Sequence, residues 1–367
     1  MKRRPTDDIA AAARRNFLGH LAALAAAAAA GGAILAVARP AAAAARARGS
    51  ARIDVREHGA SGDGVSDDTA AFQAAIDALP DDGGTVRVPP GAYLIDPTRS
   101  VRLRSRMHLA MADGARLLAK ANAAPRAYVL LAQEVRDVEI SGGRIVGDRD
   151  THLAESGEWG HGIRIRGCVG VTVRDIRISH CWGDGISAGG IMARGRPSRP
   201  GRDYLFENVL CTGNRRQGLT IGSSRRVRIR GCEFSDTGGT PPGAGIDIEP
   251  DTDVARDVVI EDCLIHGNRG PGISLYKRAA EVTIRKCTIE RNRGDGILAV
   301  TAIDCVFADN TIRNNGLKGI LVRTGSRNVR ITGNRFKAND RGRGGKRQVR
   351  IADDSVAVGI DADNVFE

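Results

Sequence analysis

Asp247 and Glu249, two carboxylates separated by one residue, form the pair in this chain best suited to chemistry. On a β-strand, alternate side chains share a face, so the pair would project together with backbones about 7 Å apart. Neighbouring carboxylates resist simultaneous ionisation and one pKa rises. A protonated and an ionised carboxyl side by side can then act as general acid and as base or nucleophile near neutral pH. Asp184 is a third candidate, for reasons that depend on what positions all three.

The positioning element is a repeat. Glycine followed by alternating aliphatic residues recurs at Gly162, Gly185, Gly218, Gly245, Gly272, Gly296 and Gly319, with spacings of 23, 33, 27, 27, 24 and 23 residues. Such spacings suit one turn of a β-solenoid plus loop insertions, and no helical period runs between the phrases. Two further series run in phase with it. Four residues before the glycine stand Cys181, Asn214, Asn268, Asn292 and Asn315. Another series comprises Cys232, Cys263, Cys287, Asn310 and Asn334. Small polar or thiol groups at fixed phase mark stacked bends whose amides can hydrogen-bond along the axis. The expected fold is all-β, a single-stranded right-handed parallel β-helix of ten or eleven coils stacked about 4.8 Å apart.

Counting from the glycine sorts the outward residues. Positions two and four after it give Arg164/Arg166, Ser187/Gly189, Thr220/Gly222, Asp247/Glu249, Ser274/Tyr276, Leu298/Val300 and Leu321/Arg323. Three residues before it lie Trp159, Trp182, Arg215, Pro242, Arg269 and Arg293, in which aromatic faces for sugar rings pass into guanidinium groups for carboxylates. One residue before it lie His161, Asp184 and Gln217. Together with Arg216, Tyr276 and Lys277 beside the carboxylate pair, Trp159, His161, Trp182, Arg215, Gln217 and Arg269 form the expected ligand-binding set. Insertions at Asp148–Glu158, Thr237–Pro242 and Ala338–Arg347 precede glycine phrases, and Gly190–Asp203 leaves on the other side, so loops would wall a groove across this face. The last of those that precede phrases is basic, with Arg341, Arg343, Lys346 and Arg347.

The ends of the chain are read separately. Arg14-Arg15-Asn16-Phe17-Leu18 matches a twin-arginine export signal, followed by an alanine-rich apolar region from Leu21 to Val37 and small-residue cleavage sites near Ala41 to Ala47. Residues 1–47 are therefore expected to be a signal handled by the twin-arginine translocase, leaving one β-helix domain at 51–367 in the periplasm or outside the cell. No later apolar run is long enough to span a bilayer. Residues 1–50 hold eight Lys/Arg and two Asp/Glu, so half of the +12 formal charge lies in them. The remaining excess is small and has little aromatic interleaving, which argues against nucleic acid as a partner and favours an acidic polysaccharide. Export of a folded chain would leave the cysteines as core thiols, and no Cys/His cluster suggests zinc.

Residues 51–95 read as strand, glycine-aspartate turn, helix and strand, with Asp67-Asp68 opening the helix Thr69–Leu79 and covering the end of the solenoid. The segment DVREHGASGDGVSDDTAAFQAAIDALPDDGGTVRVPPGAYLI resembles the opening of pectate-lyase-superfamily β-helix proteins, a group that includes polygalacturonase-like hydrolases and phage tailspikes. Residues 349–367, with GIDA at Gly359, would complete or cap the last coil. The polygalacturonase phrases NTDG, GDDC and GHGL are replaced here by WGHG, WGDG and RRQG, with no following RIK. Only Asp184 keeps an acid in those slots, so that mechanism does not transfer.

The resemblance implies three functional classes. First is a glycoside hydrolase on a uronate-containing polysaccharide, with Asp247 and Glu249 as acid and base or nucleophile and Asp184 as third carboxylate. Second is a polysaccharide lyase or C5-epimerase, in which Asp247, Glu249 and Asp251 would hold calcium if the reaction requires it. The third is a non-catalytic glycan-binding or tailspike-like protein.

Overall fold

The computed structural model describes residues 48–192, 198–340 and 348–367. The twin-arginine segment and the basic run Arg341–Arg347 lie outside the described residues. Three parallel sheets wind around one core, with twelve strands in sheet I, twelve in sheet II and ten in sheet III. Sheet I runs from Ala51–Asp54 to Val356–Ile360, sheet II from Asp63–Asp67 to Val365–Phe366, and sheet III from Val101–Leu103 to Val349–Ile351. These are the stacked coils expected from the repeat.

The glycine phrases form consecutive strands of sheet III. Ile163, Ile186, Leu219, Ile246, Ile273, Ile297 and Ile320 stand in register and are wholly buried. Close approach explains the glycines themselves. A Cβ on Gly185 would lie 2.8 Å from both the Gly218 carbonyl oxygen and the Asn214 amide, and one on Gly245 would lie 2.8 Å from the Gly272 oxygen. Any side chain would push successive coils apart, so the phrase recurs wherever coils must touch.

The bends obey a second rule. Between sheets I and II seven successive coils each turn on one residue in the left-handed region, Asp175, Asn208, Gly231, Asp262, Lys286, Asp309 and Gly333, and a Cys or Asn ladder residue follows in the last five of these turns. In the ladder at the other bend, Asn268 Nδ2 donates to Asn292 Oδ1 (2.8 Å), Asn292 to Asn315 (3.0 Å), Asn315 to Asn339 (2.9 Å) and Asn339 to Gln348 Oε1 (2.8 Å). Each amide also donates to a backbone carbonyl, as Asn292 does to Ile265 (3.2 Å), so these buried groups are satisfied. All seven cysteines are buried and free.

Helix α1 (Thr69–Asp77) buries Phe72, Ala75 and Ile76 against the first strands, as its apolar face requires. Its capping differs from expectation. Asp68 occupies the N-cap position without a side-chain cap bond; its carboxylate accepts from Ser61 and Gly62 N–H (2.6 and 3.2 Å), and Asp67 accepts from Thr69 N–H instead. The helix is thereby tied to the preceding loop. Residues 349–367 do finish the solenoid, but Gly359 pairs with Arg330 in sheet I, so GIDA is not an eighth phrase of sheet III.

Candidate active site: a carboxylate cluster on sheet III

Asp247 sits in a row across the outer face of sheet III, Arg164–Ser187–Thr220–Asp247–Ser274. It faces outward yet is only 1% exposed. Gln217, one position before the glycine of the preceding phrase, donates from Nε2 to Asp247 Oδ2 (2.8 Å). The Gln217 amide cannot turn over, because its Oε1 accepts the Ala244 N–H (3.0 Å). Asp247 Oδ1 is buried with no hydrogen-bond partner among the described residues, although the Ser274 hydroxyl is near enough to favour ionisation. Burial, and then repulsion from Glu249, push the Asp247 pKa up to about 7. Since Oδ2 is engaged as an acceptor, the proton belongs on Oδ1.

Arg216 ties the remaining acids together. It reaches Asp184 through Nη1 (3.2 Å), Glu158 through Nε (3.2 Å) and Glu249 through Nη2 (3.8 Å). Thr220 Oγ1 also donates to Asp184 (2.9 Å). Burial raises the Asp184 pKa, with Arg216 and Thr220 opposing the rise. Expected as a third catalytic carboxylate, Asp184 is instead 0% exposed with both oxygens engaged by Arg216 and Thr220, which makes it a positioning residue for Arg216. His161 accepts the Asp184 N–H at Nδ1 (3.0 Å), which places its ring proton on Nε2, and burial holds it well below the usual histidine range. It is a buried neutral spacer stacked on Tyr128, whereas a ligand contact was expected.

The aromatic column also divides. The His152 ring and the Arg215 guanidinium lie 4.0 and 3.8 Å from the Trp182 ring centroid. Two planar groups that close cannot share one face, so both faces of Trp182 are occupied and no sugar ring can stack there. Arg215 is committed as well, donating to the Gly157 and Trp182 carbonyls (2.6 and 3.4 Å). Both pin the loop Asp148–Glu158, which Arg149 anchors further through the Gly213 and Gly238 carbonyls. Trp159 remains 40% exposed, with Arg126 over its ring at 4.5 Å.

Tyr276 follows Leu275, the partner of Ile248, and so stands one coil beyond Glu249 with Lys277 Nζ 4.7 Å from its ring. Arg269 is exposed and makes no hydrogen bond or ion pair with the carboxylates; its stem runs past Gly238. Asp251 does not join Asp247 and Glu249 as a calcium set. It is exposed, and among the described residues no group of three or more His, Cys, Asp or Glu is placed to hold a metal. The structure adds Glu158, Arg126 and Tyr128. The last two lie on Arg126–Gln133, which pairs with the Trp159 strand but carries no glycine phrase, so counting from glycine does not reach it.

Comparison with known proteins fits this architecture. The family model described as right handed beta helix region matches residues 146–279 and 200–356, together more than half of the chain. A model described as rhamnogalacturonase A/epimerase, pectate lyase-like, matches residues 52–135. YclG of Bacillus subtilis is 30% identical over 222 residues, 54% of this chain and 38% of its own length. The preneck appendage protein of Bacillus phage PZA is 28% identical over 229 residues, 57% of this chain and 26% of its own. The matches thus span well under half of these relatives. Mannuronan C5-epimerase AlgE5 of Azotobacter vinelandii is 60% identical over 43 residues, 11% of this chain and 4% of its own. Among solved structures, the A-module of A. vinelandii mannuronan C-5 epimerase AlgE4 superposes with TM-score 0.61 at 18% identity, covering 86% of this chain and 97% of the module. An exopolygalacturonase from Thermotoga maritima gives 0.59 at 13% identity, covering 87% and 92%. The sheets, the stacked glycine phrases and the family match agree: the chain belongs to the right-handed β-helix family.

Proposed function

We propose that this protein is a glycoside hydrolase acting on an acidic polysaccharide, with Asp247 as general acid and Glu249 as base or nucleophile. One observation carries the reading: a carboxyl only 1% exposed, beside a second carboxylate, with one oxygen making no hydrogen bond among the described residues, a setting that pushes its pKa up to about 7. A buried unsatisfied group beside a second carboxylate suits proton donation to a leaving oxygen. Gln217 fixes the orientation of the acid. Arg216 holds Glu249 in place while Asp184, locked behind it, sets the guanidinium. Trp159 and Tyr276 offer exposed faces to sugar rings on either side, and Arg164 extends the row toward a substrate carboxylate.

The test is product chemistry on polygalacturonate and alginate. Hydrolysis adds water across the cleaved bond and releases reducing ends; Asp247→Asn should slow both about 10²- to 10⁴-fold. An unsaturated uronide, or no broken bond on either glycan or a wider acidic panel, overturns the proposal.

A second reading, C5 epimerisation, is favoured by the stretch shared with mannuronan C5-epimerases. Uptake of solvent deuterium at C5 without chain cleavage would select it.

A further inference from the structure

A second groove lies on sheet I, away from the carboxylates. It encloses about 460 Å³, and its lining includes Arg52, Thr85, Arg87, Pro89, Pro90 and His108. Register sets the two arginines on one outward face. Arg52 pairs with Thr85, and Arg87 lies two residues further along, so their Cα atoms are about 8 Å apart. Both guanidinium groups are exposed and have no ion pair or hydrogen bond among the described residues. Asp54, beside Arg87 in register, turns its carboxylate to the Arg56 N–H (3.0 Å). Glu139, across the face, is taken up by Arg48 and Arg174.

Hydrogen bonds hold the walls in place. The Pro89–Pro90 shelf is pinned by the Tyr93 hydroxyl, which donates to the Pro89 carbonyl (3.0 Å), and by Arg56 Nη2, which donates to the Pro90 carbonyl (2.7 Å). His108 is fixed through Nε2 to Ser141 Oγ (2.7 Å). Two unpaired planar cations over an apolar ledge, with a threonine hydroxyl between them, match a sugar acid: the carboxylate meets the guanidinium forks and the C–H face of the ring meets proline.

We propose that this groove is a second binding site for an anionic glycan, separate from the carboxylate cluster and independent of the reaction proposed there. It would hold a polysaccharide chain to the rod at a distance from the cleaved bond.

The experiment is affinity electrophoresis of the full chain in gels containing alginate, polygalacturonate or neutral dextran. The parent protein, Arg52→Gln/Arg87→Gln, Asp247→Asn and a control pair Arg202→Gln/Arg327→Gln are compared. Retardation by at least one acidic glycan but not by dextran, weakened at least fivefold in the groove pair and kept in the control pair and in Asp247→Asn, is the expected result. Cleavage of short oligosaccharides by the groove pair should be unchanged, which separates this site from the first. Equal loss in both arginine pairs would mean that net charge alone is sensed. Full retardation of the groove pair, or equal binding of a single-stranded DNA oligonucleotide, would likewise overturn the proposal. Thermal melting confirms that each variant is folded, and these exposed glutamines leave every buried contact in place.

Discussion

Two sets of buried polar groups run along this rod and meet opposite ends. At the bend, Asn268, Asn292, Asn315 and Asn339 are neutral, in register and satisfied by one another and by backbone carbonyls. On sheet III, Asp247 is as deeply buried, ionisable and left with an unpartnered oxygen. The first pattern repeats because stacking rewards identical neighbours. Among the described residues no other carboxylate oxygen is buried without a partner, because an unsatisfied buried acid is tolerated only where something else is gained. The contrast separates what holds the coils together from what can do chemistry.

The largest effect expected along this divide is on activity. Asp247→Asn keeps the shape and the Gln217 contact but cannot donate the proton; turnover should fall about 10²- to 10⁴-fold with the fold intact, as measured by rate and far-ultraviolet circular dichroism. In the parent, activity should decline as pH rises through about 7, where Asp247 loses its proton. The stability sign is also fixed. A carboxyl whose folded pKa lies above its unfolded value of 3.8 keeps a proton that the unfolded chain has released, so its contribution falls as pH rises from about 4 to about 7 and is flat beyond. Asp247→Asn should flatten that part of the stability–pH curve, read by denaturant melts across the range. An unchanged slope would show that Asp247 is ionised throughout.

Arg216→Ala should come next. It strands Asp184, wholly buried, and frees Glu158 and Glu249, so a loss of about 3–5 kcal/mol is expected in chemical denaturation. Asn292→Ala, in the satisfied ladder, leaves the Asn268 amide and the Asn315 carbonyl oxygen each short of one partner. It should cost about 1–3 kcal/mol while turnover per folded molecule stays unchanged. A drop in turnover there would erase the distinction between the two sets. Trp159→Ala should do least, weakening glycan binding about two- to tenfold by titration calorimetry, since Arg126 already occupies one face of the ring. Trp182→Ala should instead lower thermal stability, because Trp182 packs between His152 and Arg215 and has no free face.

How much of this was legible in the sequence differs from residue to residue. Gly185 and Gly245 announce the fold because coil contact forbids a side chain at each repeat, and that local constraint recurs at a countable spacing. Asn292 and Asn315 are legible for the same reason. The Asp247–Glu249 pair is legible because strand alternation puts both on one face, but the rise in the Asp247 pKa comes first from burial, which the sequence does not show, and only second from Glu249. Trp182 reads in the sequence as a sugar platform and in the fold is a packed ring. Its phase matches that of Trp159, and only the insertion Asp148–Glu158 brings His152 onto its ring. The slot of Asp184 is likewise legible, while its engagement by Arg216 and Thr220 from the next coil is not.

The sequence by itself determined the solenoid, its register, the polar ladders and the face that carries the acids, because each follows from a short-range pattern repeated every coil. Only the tertiary structure decided which acid keeps a proton, which is locked away and which aromatic ring stays open. Those outcomes depend on side chains from different coils and loops meeting across the stack, at sequence separations of about 20 to 60 residues that no local pattern encodes.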